Sequence, residues 1–188
     1  MRLRAAVIVG GALCWVVAYW INDLFFSQTL EALGAHWIFL PAALRLVVVV
    51  VFRTEGAASI VVGNFLSSLL FRDYDSMALL VATSLESGLA PLLALYLLQR
   101  YGGLRTDLSN LNPNYLILLT VSASVLNAVF KVAAFGTLGS LGPAHFWAVG
   151  VALFAGDAVG ILFVTGVCSL LFRAWAAWRE RPMIEPRI

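Results

Sequence analysis

Six long apolar runs constrain this chain more than any other feature. They cover about 4–21, 37–52, 56–71, 77–99, 115–137 and 145–174. A helix that crosses a bilayer needs about 20 mostly apolar residues. In lipid only such a helix, or a closed barrel, leaves no backbone group unpaired. The sequence therefore predicts an all-α fold, a single domain over 1–188 built as a polytopic bundle of six transmembrane helices. Hydrophobic residues make up 62% of the chain and charged residues 12%, where a soluble domain carries about 25% charged. That contrast excludes an ordinary soluble domain and a disordered chain. A net charge of +2, scattered along the sequence, gives no face for nucleic acid.

The basic residues give an orientation. With the N-terminus inside, Arg2, Arg4, Arg53, Arg100, Arg105, Arg173, Arg179, Arg181 and Arg187 fall inside and only Arg72 falls outside. Asp23, Glu31, Asp73 and Asp75 fall outside. This is the asymmetry of the positive-inside rule, and it predicts both termini in the cytoplasm. The expected location is a bacterial inner (plasma) membrane, crossed several times. The basic, apolar start resembles a signal peptide, but no small-residue cleavage pattern follows Trp20, so the first segment is expected to stay as a helix. The tail, 175–188, is expected to lie in solvent or against headgroups.

Catalytic signatures are missing. There is no GxxxxGK[ST], HExxH, CxxC or GxSxG, and the loops are too short for a soluble domain. The expectation is a protein that is not an enzyme and needs no cofactor. Cys14 and Cys168 are expected to be free, packed thiols. His36 and His145 are weak metal candidates, since no further ligand completes a shell. Their plainer reading is as side chains at the membrane boundary beside Trp37 and Trp147.

A polar layer falls where none is cheap. Arg45, Glu86, Lys131 and Asp157 lie inside the spans, joined by Asn64 and Asn127. At about 1.5 Å per residue all but Lys131 fall near the bilayer centre, and Lys131 sits one turn above Asn127 on the same face. A charge at the helix centre costs about 2.5–3.5 kcal/mol on insertion scales, so all four must face the bundle interior. Two bases and two acids neutralise one another. Arg45 with Glu86, and Lys131 with Asp157, are the pairs that depth suggests. Such a layer either locks helix register, lines a pocket for a small polar or zwitterionic ligand, or carries protons. Gly63, and Gly156 with Gly160 around Asp157, are expected to let helices pack closely.

Several stretches, taken in order, resemble the first-described MASE-type membrane-associated sensor domain of bacteria. They are IFLPAALRLVVVVVF at 38–52, GAASIVVGNFLSSL at 56–69, TSLESGLAPLLALYLLQR at 83–100 and GDAVGILFVTGV at 156–167. The matched positions are Pro41, Gly63, Asn64, Glu86, Arg100, Gly156, Asp157 and Gly160. The chain departs from that family in having six predicted spans rather than about eight, and in showing no kinase or cyclase output. The resemblance therefore implies a sensor-like or ligand-binding module that acts through a separate membrane partner. The chain is also similar in span count and length to the substrate-capture subunits of energy-coupling-factor transporters, which implies a transport alternative. A small accessory subunit stabilising a larger membrane complex is the third expectation.

Overall fold

The computed structural model describes residues 2–29, 36–72, 76–138 and 141–179. Glu31, Asp73, Asp75, Arg181, Pro182, Pro186 and Arg187, on which part of the loop and tail reading rests, lie outside the described residues. Helix α1 covers Arg2–Phe26, α2 Pro41–Phe71, α3 Met77–Tyr101, α4 Pro113–Thr137 and α5 Phe146–Arg179. All five are long and apolar enough to cross a membrane.

Each helix starts where the sequence offers a start. Pro41 and Pro113 stand in the first turns of α2 and α4, where the missing N–H is no loss. The Ser76 hydroxyl accepts the Leu79 N–H at 3.2 Å and the Asn112 side chain accepts the Tyr115 N–H at 3.1 Å. These are N-caps that satisfy otherwise orphaned donors.

Two of the six expected segments, 37–52 and 56–71, belong to one helical element, so among the described residues five long helices stand where six were expected. The reason is local. Only Arg53 leaves helical geometry, with φ 53° and ψ −118°, and helical bonding resumes on either side. Those angles are those of the first central residue of a type II′ turn, and they fold the element back on itself. A Cβ placed on Gly56 would meet the Val48 carbonyl oxygen at 2.3 Å, although eight residues of straight helix would separate them by about 12 Å. Tyr19 of α1 touches both Phe39, two residues before the element begins, and Phe71 at its end, with ring centroids 6.2 Å and 5.9 Å away. The two arms, 41–52 and 54–71, therefore lie side by side against α1.

Contacts along the bundle distinguish two ends. At one, Arg4 pairs with Glu55 at 3.2 Å, and Arg53 donates to Gln99 at 3.3 Å and to the Thr106 carbonyl. At the other, Tyr19, Phe39 and Phe71 cluster and the Arg72 Nε donates to the Tyr19 hydroxyl at 2.5 Å. One apolar core, around Leu46, Leu95, Leu98, Leu104, Leu119 and Ile161, fills the Arg53 end. A second, around Leu79, Phe135, Val149 and Leu153, fills the Tyr19 end between α3, α4 and α5. Large apolar side chains such as Leu13, Leu70, Leu89, Val129 and Phe163 point outward, while Arg45, Glu86, Lys131 and Asp157 are buried. This inside-out arrangement suits a lipid surround. Cys14 and Cys168 are free but exposed rather than packed, as small apolar groups facing outward.

Candidate functional site

The four charges lie between the two cores, and each is at most 7% exposed. Their pairing is the reverse of what depth suggested. Arg45 of α2 pairs through Nη2 with Oδ2 of Asp157 on α5, and Lys131 of α4 lies 3.0 Å from Glu86 Oε1 on α3. Depth fixes height along the bundle but not azimuth, and azimuth decides the partner. Asn127 completes the first pair. Its Oδ1 accepts from Arg45 Nη1 at 2.9 Å and its Nδ2 donates to Asp157 Oδ2 at 2.7 Å. Arg45 is thereby held by a carboxylate and an amide together, the geometry its fork of donors favours.

Asn64 does not join the ion pairs. Its Nδ2 lies 3.4 Å from both the Thr83 carbonyl and the Ser84 hydroxyl, so it ties the second arm of α2 to α3. The predicted layer is therefore a cluster of five residues on α2, α3, α4 and α5, with Asn64 outside it.

The glycines act on a partner the sequence did not suggest. Gly63 does separate two helices, since a Cβ there would come within 2.7 Å of the Trp15 Cβ on α1. Gly156 and Gly160, however, face the non-helical stretch 36–40 rather than a helix. Their added Cβ atoms would meet the His36 carbonyl oxygen at 1.9 Å and the Phe39 carbonyl oxygen at 2.0 Å. The Phe39 N–H donates to the Gly156 carbonyl at 3.1 Å, and the Leu40 N–H to Asn22 Oδ1 at 2.9 Å. Irregular backbone at membrane depth needs such partners within the protein.

This stretch carries His36 into the bundle. The histidine is 3% exposed, not at the surface as expected, and it stacks on Phe39 with centroids 5.9 Å apart. Neither ring nitrogen has a hydrogen-bond partner among the described residues, although the Phe26 carbonyl is near enough to act on the ring. Burial foremost, and then the positive charge of Arg72, lowers its pKa from 6.5 to about 4. His145 lies exposed in a short 3-10 turn. Among the described residues no three His, Cys, Asp or Glu side chains gather as a metal site.

A small cavity of about 10 Å³ joins His36 to the charged cluster, lined by His36, Phe39, Arg72, Asn127, Lys131 and Asp157. That is room for about one water. Glu86 Oε2 and Ser124 Oγ are also buried without a partner among the described residues. A far larger groove of about 810 Å³ runs between α4 and α5, past Val125, Val129, Gly136, Trp147 and Val151. Its walls are almost wholly apolar, so it offers space but no recognition chemistry.

Arg72, in the sequence only a mark of orientation, lines the small cavity, and Asn22 of α1 holds the 36–40 stretch. A buried carboxamide at the end of an apolar helix was the signal for Asn22. No family model, no curated protein and no solved structure matches this chain.

Proposed function

We propose that the chain is a non-enzymatic, ligand-binding module of sensor type in a bacterial inner membrane, and that it acts through a separate membrane partner. The observation that carries this reading is that one member of each buried ion pair, Lys131 and Asp157, lines a small cavity together with His36, whose ring nitrogens have no hydrogen-bond partner among the described residues. A scaffold built only to lock register would leave no buried imidazole and no carboxylate oxygen unpaired, because each costs about 1–3 kcal/mol. In a binding site those atoms are held for the ligand. The ligand class that fits is small and polar or zwitterionic, able to meet an acid and a base at once. The MASE-type resemblance points the same way.

In this reading the segment 37–52, made of the first arm of α2 and the irregular residues before it, and the second arm, 54–71, each cross the membrane, giving six passes with both termini in the cytoplasm. The fold-back at Arg53 and the arginine distribution support it. His36 and Arg72 then stand on the periplasmic side, where a solute arrives.

One feature favours a second reading, that of an accessory subunit. The ion pairs are in direct contact and the cavity holds only about one water, which is how a register lock is built. A transport subunit remains the third alternative. Gentle detergent extraction of the full chain, followed by identification of co-purifying proteins, separates them. A kinase or cyclase supports the sensor, ATPases the transport subunit, and recovery inside a large oxidoreductase or pump complex the accessory subunit. Isolation as a stable monomer that responds to no solute contradicts all three.

A further inference from the structure

The groove of about 810 Å³ between α4 and α5 has no chemistry for a polar solute, but its form suits an apolar chain. The Asn127–Asp157 bond marks the level of the charged cluster on both helices. The groove starts near that level, at Val125 and Phe154, and climbs toward the Tyr19 end to Thr137 and Trp147. The α4 wall, from 125 to 137, rises about 18 Å. That is close to the ~15 Å of one leaflet's hydrocarbon and well short of the ~30 Å along which a spanning helix would lie. Nor do the glycines in the wall seat a partner helix. A Cβ on Gly136 would meet the Phe146 ring at 2.7 Å, and one on Gly150 would meet Val132 at 3.5 Å. The close approach that small residues give helices in lipid is already used within the chain. The mouth of the groove is free of negative charge. Residues 137–147, which join α4 to α5, contain no Asp or Glu, and His145 lies exposed among them. The first turn of α5 holds no acid either, so the positive end of a 34-residue helix stands open at the mouth.

We propose that this groove binds one phospholipid of the leaflet on the Tyr19 side, with an acyl chain along 125–137 and the phosphate at the start of α5. A hollow of this size is not left empty, because each wall atom without a neighbour loses its dispersion contacts. The chain arrives from a bilayer as apolar as the groove, so no hydrophobic transfer drives it in. Selection rests on packing against two helices at once and on the phosphate meeting a positive helix end. Trp147, 84% exposed, stands at the mouth, where an indole suits the level of the headgroups. Ala128 and Val132 in the wall are the chain neighbours of Asn127 and Lys131. A bound chain therefore supports the α4–α5 spacing across which Asn127 reaches Asp157 at 2.7 Å. The inference goes beyond the ligand reading of the charged cluster and does not depend on it.

The test is native mass spectrometry of the full chain in a mild detergent, washed free of its own lipid, with dioleoylphosphatidylglycerol as the probe. Binding should saturate at one lipid per chain. Ala133→Phe and Gly150→Phe fill the groove from opposite walls, and each should lose that single adduct while keeping the natural helicity. Val121→Phe, at an exposed position on α4 outside the groove, should keep it. Diolein, with the same chains and no phosphate, should bind about two- to fivefold more weakly, the range a helix terminus supplies. Adducts that accumulate without saturating would mean general lipid coating and would overturn the proposal. A single adduct that persists in both groove variants would overturn it too. A dimer that Ala133→Phe dissolves would assign the groove to a second copy of the chain instead. Diolein bound as tightly as the phospholipid would contradict the placement of the phosphate.

Discussion

Arg45 and Asp157 stand 112 residues apart in the chain and meet as a buried ion pair, with Asn127 bonded to both. Removing one partner strands the other in a low-dielectric interior, so Arg45→Leu or Asp157→Leu should each cost about 3–5 kcal/mol. Removing both should cost much less, because no uncompensated charge remains. Glu86→Leu and Lys131→Leu should behave the same way as the second pair. The mismatched double, Arg45→Leu with Glu86→Leu, should show clearly less relief, because Asp157 and Lys131 each lose the partner they touch. Melting of the detergent-solubilised variants checks this, and relief in the mismatched double equal to that in the matched ones would refute the pairing seen here.

His36 gives the fold a pH dependence of definite sign. Its folded pKa of about 4 lies below the ordinary 6.5, so the folded state favours the neutral ring. Stability should be full above about pH 6.5 and fall as the pH drops toward 4, by about 3 kcal/mol at ~1.4 kcal/mol per pH unit. Unfolding midpoints measured without added solute between pH 8 and 4 should show this decline, and H36Q should flatten it.

Arg53 holds a backbone conformation natural to glycine, with φ 53°. Arg53→Ala keeps that strain and loses the bonds to Gln99 and Thr106. Arg53→Gly loses the same bonds but relieves a strain of about 1–2 kcal/mol. The glycine variant should therefore melt above the alanine variant. The reverse order would mean that the turn at Arg53 does not have this geometry.

Gly160→Ala places a methyl group against the Phe39 carbonyl oxygen, 2.0 Å from where its Cβ would sit. Backbone cannot yield as a side-chain tip can, so the 36–40 stretch must move. The expected result is a loss of about 3 kcal/mol or more, with His36 newly reactive toward diethyl pyrocarbonate. Gly166→Ala, where nothing lies within 4 Å, is the control and should be near neutral.

What the sequence made legible, and what it hid, follows from which forces are local. Apolar length announced the helices, and the Arg53–Gly56 break between two apolar runs was visible as an interruption of hydropathy. The charges at Arg45, Glu86, Lys131 and Asp157 were legible as interior residues because lipid forbids any other place. Their pairing was not legible, since it depends on how each helix is rotated about its axis. Nor was the burial of His36. That depends on a non-helical stretch laid across Gly156 and Gly160, a contact between segments more than a hundred residues apart with no periodicity to betray it. Asn64 was misplaced for the same reason as the pairs: its height matched the cluster, while its direction led to Thr83 and Ser84.

The central claim is that the charged cluster is a working site and not only a scaffold. The Arg45→Leu/Asp157→Leu double variant tests it most directly, because removing both charges should preserve the fold. Its helicity and melting should be compared with the natural chain, together with its response to glycine, a small zwitterion, and its recovery of the membrane partner. The account predicts a folded protein that has lost the solute response and the partner-dependent change that goes with it. A folded double variant that keeps the natural response would contradict the claim and leave the cluster as a register lock.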